Sequence, residues 1–218
     1  MTFPTTAVID DFGRADGNLN TRLACSNGVD SWFLGKINGG SDTNFDILSG
    51  RLADNAVTGD SFIQASFGPD TEVYLTMPVV PTSYAFLAAR IKDENTATWD
   101  GYGVIWIAGG SPNWQLRRYD NGSQTNVSNT NGANPNAGDK IGLSVVGSLL
   151  TGYLFTGGVW TTVLTGTDAT YPLAGKIGIE IGDSTGRYDD FGGGTVVTTV
   201  GQIGTIRVDR GGSRRTSW

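Results

Sequence analysis

Short runs of β-branched and aromatic residues recur along the whole chain, and helical periodicity is nearly absent. Gly, Asn and Asp interrupt these runs every ~8–12 residues, the spacing of a β-sandwich or barrel. Strands are predicted near 7–12, 45–53, 61–67, 72–79, 84–92, 102–108, 114–119, 123–128, 140–147, 150–156, 159–165, 175–182, 188–191 and 203–209. Asn-Gly in RYDNGSQT and Gly-Gly in YLFTGGVWTTV mark two hairpins. In GYGVIWI, Tyr102, Val104 and Trp106 fall on one face of a strand, and Gly103, Ile105 and Ile107 on the other. A strand apolar on both faces is covered on both, or one face is a ligand platform. Glycine is 33 of 218 residues, far above the usual ~7%, and it is scattered between the runs as turns and bulges require. The expected fold class is therefore all-β, a two-sheet antiparallel sandwich in one domain.

Charge and reactive residues exclude much chemistry. The chain has no histidine and one cysteine, Cys25. His-based triads, His-ligated zinc, Cys–His nucleophiles and internal disulfides are all excluded. A formal net charge of −6 offers little to a phosphate backbone, so no nucleic acid is expected as a partner. The start, MTFPTTAVIDDF, lacks the basic and apolar regions of a signal peptide. No run approaches the length of a membrane-spanning helix, so no membrane insertion is expected. The one basic cluster is RGGSRRTSW at the C-terminus, either a solvated tail or a docking tail. Residues 195–218, with the stretch TVVTTVGQIGTIRVDR, are expected to form a C-terminal strand and tail outside a sandwich of residues 1–194.

The tetrapeptide DDFG occurs twice, in VIDDFGRADG and in YDDFGGGTV. DFG is also a kinase signature, but the chain has no Gly-rich phosphate loop and no catalytic-loop histidine. In a sandwich the first and last strands often lie side by side. Phe12 and Phe191 would then point inward, and Asp10, Asp11, Asp189 and Asp190 would crowd together. Two arrangements relieve their repulsion. Arg14 and Arg187 are placed to form salt bridges, or a structural calcium binds oxygen ligands.

The opening VIDDFGRADGNL followed by Trp32 resembles the start of concanavalin A-like and laminin-G-like jelly-roll domains. FDILSGRLA, YAFLAARI, DGYGVIWI, GKIGIEIG and YDDF match them in style, so the resemblance spans about residues 7–194. It implies a jelly-roll sandwich and leaves function open, since such domains include lectins, glycosidases and structural modules. Some such domains hold a structural calcium between their first and last strands, and the resemblance implies Asp11 and Asp190 as metal-binding candidates, with backbone carbonyls supplying the other ligands. Openings similar to DDFxRADG are frequent in bacteriophage minor tail and other virion-surface proteins. The resemblance therefore implies a virion-surface location, other virion proteins as partners and a multi-copy assembly.

Retaining glycosidases need two carboxyl groups ~5–5.5 Å apart. The members this chain resembles place them on a single strand, in a Glu-x-Asp-x-x-Glu or similar pattern. The chain has three glutamates, Glu72, Glu94 and Glu180, and none has an acid two or four residues away on a convincing strand. No catalytic residue and no required cofactor are therefore expected. Sugar binding needs aromatic faces and polar groups together, and residues 100–122 with the adjacent Trp99 are the richest window. Trp99, Tyr102, Trp114, Arg117 and Tyr119 are the carbohydrate-binding candidates. Trp99 and Trp114 border polar loops and are expected at the surface; Trp32, Trp106 and Trp160 are expected in the core. The expected function is a non-catalytic structural and adhesion protein of a virion surface that contacts host-surface carbohydrate. The alternatives are a soluble carbohydrate-binding module and a glycoside hydrolase of the same fold.

Overall fold

Residues 2–21, 23–33, 37, 45–54, 59–94, 96–111 and 113–197 are described by the computed structural model. They form fifteen strands and one short 3-10 turn, Leu19–Thr21. In chain order the strands are β1 (Val8–Asp10), β2 (Gly17–Asn18), β3 (Phe45–Ile47), β4 (Leu52–Asp54) and β5 (Gly59–Phe62). The long strands β6 (Thr71–Val79), β7 (Tyr84–Lys92), β8 (Asp100–Ile107), β9 (Trp114–Asp120) and β10 (Ser123–Thr130) follow. The chain continues with β11 (Lys140–Val146), β12 (Leu149–Thr156), β13 (Val159–Thr167), β14 (Lys176–Ile181) and β15 (Arg187–Thr195).

Two antiparallel sheets result. One runs β13-β12-β11-β6-β15-β4-β3-β2, with β1 also paired to β15; the other runs β10-β9-β8-β7-β14-β5. Alternation puts Val73, Leu75 and Met77 of β6 and Tyr102, Val104 and Trp106 of β8 into the space between them, all buried. The sheets thus share one core, as the period-two pattern implied. The predicted strand 45–53 is split into β3 and β4 by a turn in which Ser49 and Gly50 take positive φ. The predicted strand 203–209 lies outside the described residues, as do Arg214, Arg215 and Trp218. Strand β15 runs through the predicted domain boundary at 194, and Val196 and Val197 still bond to Asp70 and Thr5.

The two DDFG segments meet. Val8 faces Gly192 and Asp10 faces Phe191 across β1 and β15. Trp32 bridges the two phenylalanines, with ring centroids 5.9 Å from Phe12 and 4.9 Å from Phe191. Both segments bend the ladder. Phe12 has φ 50° and Asp190 has φ 47°, left-handed conformations that aim the flanking side chains off the strand.

The repulsion among the acids is relieved by lysine and arginine. Asp10 is fully buried and accepts from Arg14 Nη1 (2.6 Å) and Nη2 (2.9 Å), from Trp32 Nε1 (2.7 Å) and from the Phe12 amide (3.0 Å). Asp190 accepts from Lys140 Nζ at 3.1 Å and Thr76 Oγ1 at 3.0 Å. Asp11 lies at the surface; its carboxylate accepts the Gly13 amide, and its own amide donates to Ser26 Oγ. Arg187, expected beside the acids, instead donates to the carbonyls of Ser184, Thr185 and Gly186. Of the two arrangements, the salt bridges are present; a calcium between Asp11 and Asp190 would have to displace the Lys140 ammonium from Asp190. Among the described residues no group of three or more ligating side chains forms.

A strap of residues 3–6 crosses the outer face of the larger sheet. Phe3 stacks on Tyr153 at 4.0 Å and meets Trp160 edge-on at 4.8 Å. Its ring lies over Gly142, where a Cβ would come within 2.5 Å of it. Glu72 Oε1 anchors the strap, accepting the amides and hydroxyls of Thr5 and Thr6 at 2.5–3.1 Å. Trp160, expected in the core, belongs to this outer layer and is half-buried.

Candidate functional site

The outer face of the six-stranded sheet carries a cleft of about 630 Å³. Its floor comes from residues that alternate away from the core. Glu180 of β14 lies opposite Phe86 of β7, Phe86 opposite Ile105 of β8, and Ile105 opposite Gln115 of β9. Gly103 leaves room for this floor: a Cβ there would sit 2.1 Å from the Phe86 ring. The second apolar face of GYGVIWI therefore packs with Phe86 and Trp99 in a second buried cluster, of which Ile105 and Ile107 also line the cleft.

One wall is acidic. Asp60 of β5 and Glu180 are direct partners across the antiparallel ladder, where Cβ atoms stand ~4.5–5.5 Å apart. Glu180 Oε1 accepts the Tyr84 hydroxyl at 2.5 Å, and Asp60 accepts the Ile37 amide. Burial pushes the Tyr84 phenol well above its ordinary value, and the Glu180 charge and hydrogen bond push it further. Tyr84 therefore stays a donor to Glu180 at any physiological pH.

The opposite wall is aromatic and cationic. Tyr119 stacks on Trp99 at 4.2 Å with the planes 24° apart. Trp99 is only 4% exposed, so it backs the Tyr119 ring and stiffens it. Burial raises the Tyr119 phenol, and a hydrogen bond from Arg117 opposes that shift. Arg117 Nε and Nη2 both donate to Gln115 Oε1, at 3.0 and 2.8 Å. Gln124 of β10 and Gly122 complete this end.

Of the five residues predicted for sugar contact, Trp99, Arg117 and Tyr119 line the cleft. Tyr102 and Trp114 do not. Both point between the sheets with no exposed surface. Trp114 Nε1 donates to the Ala133 carbonyl at 2.9 Å, so the polar loop beyond β10 folds back to satisfy it. Tyr102 bonds Asp168 Oδ1 at 2.8 Å and accepts the Tyr171 amide. Proximity to polar loops misled the expectation for Trp114; the alternation of β9, with Trp114 and Leu116 on the side opposite Arg117, gives the right answer. Sequence reasoning also missed the Asp60–Glu180 pair. A search for acids along one strand cannot find two acids 120 positions apart that register brings face to face.

No protein family and no curated protein matches the sequence. Solved structures do match in fold. The carbohydrate-binding module CBM66 from Bacillus subtilis superposes with a TM-score of 0.53 at 14% identity, covering 86% of this chain and 97% of that one. The Bacillus licheniformis β-glucanase gives 0.56 at 12% identity, covering 88% and 98%. The VIP36 exoplasmic/lumenal domain in its Ca2+/Man-bound form gives 0.55 at 10% identity, covering 91% and 93%. With two antiparallel sheets, no α-helix among the described residues and these neighbours, the chain has the concanavalin A-like jelly-roll fold.

Proposed function

We propose that the protein binds carbohydrate in the cleft of the six-stranded sheet and does not cleave it. The observation that carries this reading is the pairing, in one cleft, of a stiffened aromatic face with hydrogen-bonding groups on both sides of it. Tyr119, backed by Trp99, offers a flat apolar surface to the C–H side of a sugar ring. Asp60, Glu180, Arg117 and Gln124 offer acceptors and donors to its hydroxyls. The fold's likeness to a carbohydrate-binding module and to a mannose-bound domain supports the same reading. Replacing Tyr119 with Ala removes the platform and leaves the strand register intact. Affinity for a recognised glycan is expected to fall about tenfold, roughly 1.4 kcal/mol, measured by calorimetry. Unchanged affinity in a folded Tyr119→Ala protein overturns the assignment of the cleft.

One observation favours hydrolysis as a second reading: the Asp60–Glu180 pair, with Cβ atoms at a separation compatible with the ~5–5.5 Å carboxyl spacing of retaining enzymes. Release of reducing ends from a bound glycan, lost in Glu180→Gln, would establish it. The setting we propose, multi-copy display on a virion surface, rests on the likeness of VIDDFGRADG to virion-protein openings. Arrayed weak sites gain avidity, and recovery of the protein in purified particles tests that setting.

A further inference from the structure

Arg117 differs from its neighbour in the chain. Arg118, on the other face of β9, bridges two carboxylates, Asp120 at 2.8 Å and Asp168 at 2.6 Å. Arg117 meets no carboxylate among the described residues. Its Nε and Nη2 are held by the neutral amide oxygen of Gln115, and its charge lies close enough to the Tyr119 phenol to lower it against the effect of burial. A guanidinium has five donors in a rigid fork. Gln115 takes two. Arg117 lines the cleft, so the other donors and the charge are open to a ligand there. In a chain with a net charge of −6, a cation kept from the surplus of acids and pinned beside an aromatic face is a receptor for an anion.

We propose that the ligand of the cleft is an acidic saccharide whose carboxylate is received by Arg117 while its ring lies on Tyr119. This inference rests on the carbohydrate reading of the same cleft. The acidic wall does not forbid it. Glu180 and Arg117 are separated by strands β7 and β8, three inter-strand steps of ~4.8 Å each, so an anion on Arg117 sits on the far side of the cleft from Glu180, whose charge still reaches Tyr119. The cleft is thus polarised across its width. The carboxylate goes to the β9 side, and the sugar hydroxyls reach Asp60 and Glu180, which act as acceptors. A planar carboxylate fits the guanidinium fork with two parallel hydrogen bonds, which a hydroxyl does not reproduce.

The test is calorimetry of the full chain with a panel of oligosaccharides bearing glucuronate, galacturonate, mannuronate or sialate. Each is paired with the same glycan after reduction of its carboxyl to the alcohol. At least one acidic glycan is expected to bind tenfold or more tightly than its reduced partner. Arg117→Gln is expected to remove that preference, bringing the acidic glycan and its reduced partner to the same affinity; Arg117→Lys, which keeps the charge and loses the fork, retains part of it. The thermal midpoint of each variant confirms its fold. Equal affinity for acidic and reduced glycans overturns the acidic-ligand inference and leaves the carbohydrate reading standing. A panel in which no glycan binds overturns the carbohydrate reading itself.

Discussion

Asp10 is a carboxylate with no exposed surface, at the seam where the chain's two ends join. Burial of such a charge is costly unless it is paired and every lone pair is used. Arg14 supplies the pairing, and the Trp32 indole and Phe12 amide use the remaining acceptor capacity. The same side chain thereby orients Trp32, whose ring separates Phe12 from Phe191. Asp10→Ala strands the Arg14 guanidinium and leaves the indole N–H without its acceptor. A loss of about 3 kcal/mol is expected, read as a fall in melting temperature of about 6–12 °C for a domain of this size. Asp11, one residue on, sits at the surface and caps a turn, so Asp11→Ala is expected to shift the midpoint far less. The pair DD was visible in the sequence; which of the two is buried was not. That choice depends on the left-handed turn at Phe12, a backbone state that composition does not announce for phenylalanine.

Strands were legible where alternation is strict and the turn chemistry explicit. The β9–β10 hairpin follows from Asn121-Gly122, both of which take the positive φ the turn demands. β12–β13 follows from Gly157-Gly158 in the same way. The strap was not legible, because FPTT has no periodicity and its partner, Glu72, is 66 residues away. Only the sheet's outer face, with Gly142 opened beneath Phe3, explains why an aromatic belongs at position 3. Phe3→Ala removes the stack on Tyr153 and leaves a hollow over Gly142. It is expected to cost about 3 kcal/mol, seen as a lower urea midpoint with an unchanged m-value. The strap and the cleft lie on different sheets, so glycan affinity is expected to be unaffected. A parallel loss of affinity would mean that the two faces are coupled through the core.

At the scale of the whole molecule the acids decide how stability follows pH. Four carboxyls are held below their ordinary value. The Gly13 amide does this for Asp11, and the Tyr171 hydroxyl for Asp120, with Arg118 adding to it. Burial opposes the shift at Asp168 and Asp183. It is outweighed at Asp168 by Thr170, Tyr102 and Arg118, and at Asp183 by Thr185, Gly186 and Thr82. Asp189 goes the other way, raised by burial and by the charges of Asp190 and Asp11 beside it. A lowered carboxyl contributes stability above its unfolded value near 3.8, and that contribution is lost as pH falls through the lower folded value. Asp189 has the opposite sign: protonation on the way down through its raised value favours the folded state. The fourfold contribution outweighs the single one. Stability is therefore expected to fall below about pH 4, as the four lowered carboxyls protonate, while protonation of Asp189 above that range acts in the opposite direction. Thermal midpoints across pH 2–8 check this. Asp189→Asn is expected to raise stability at neutral pH, because it removes a charge that burial and the neighbouring Asp190 and Asp11 disfavour.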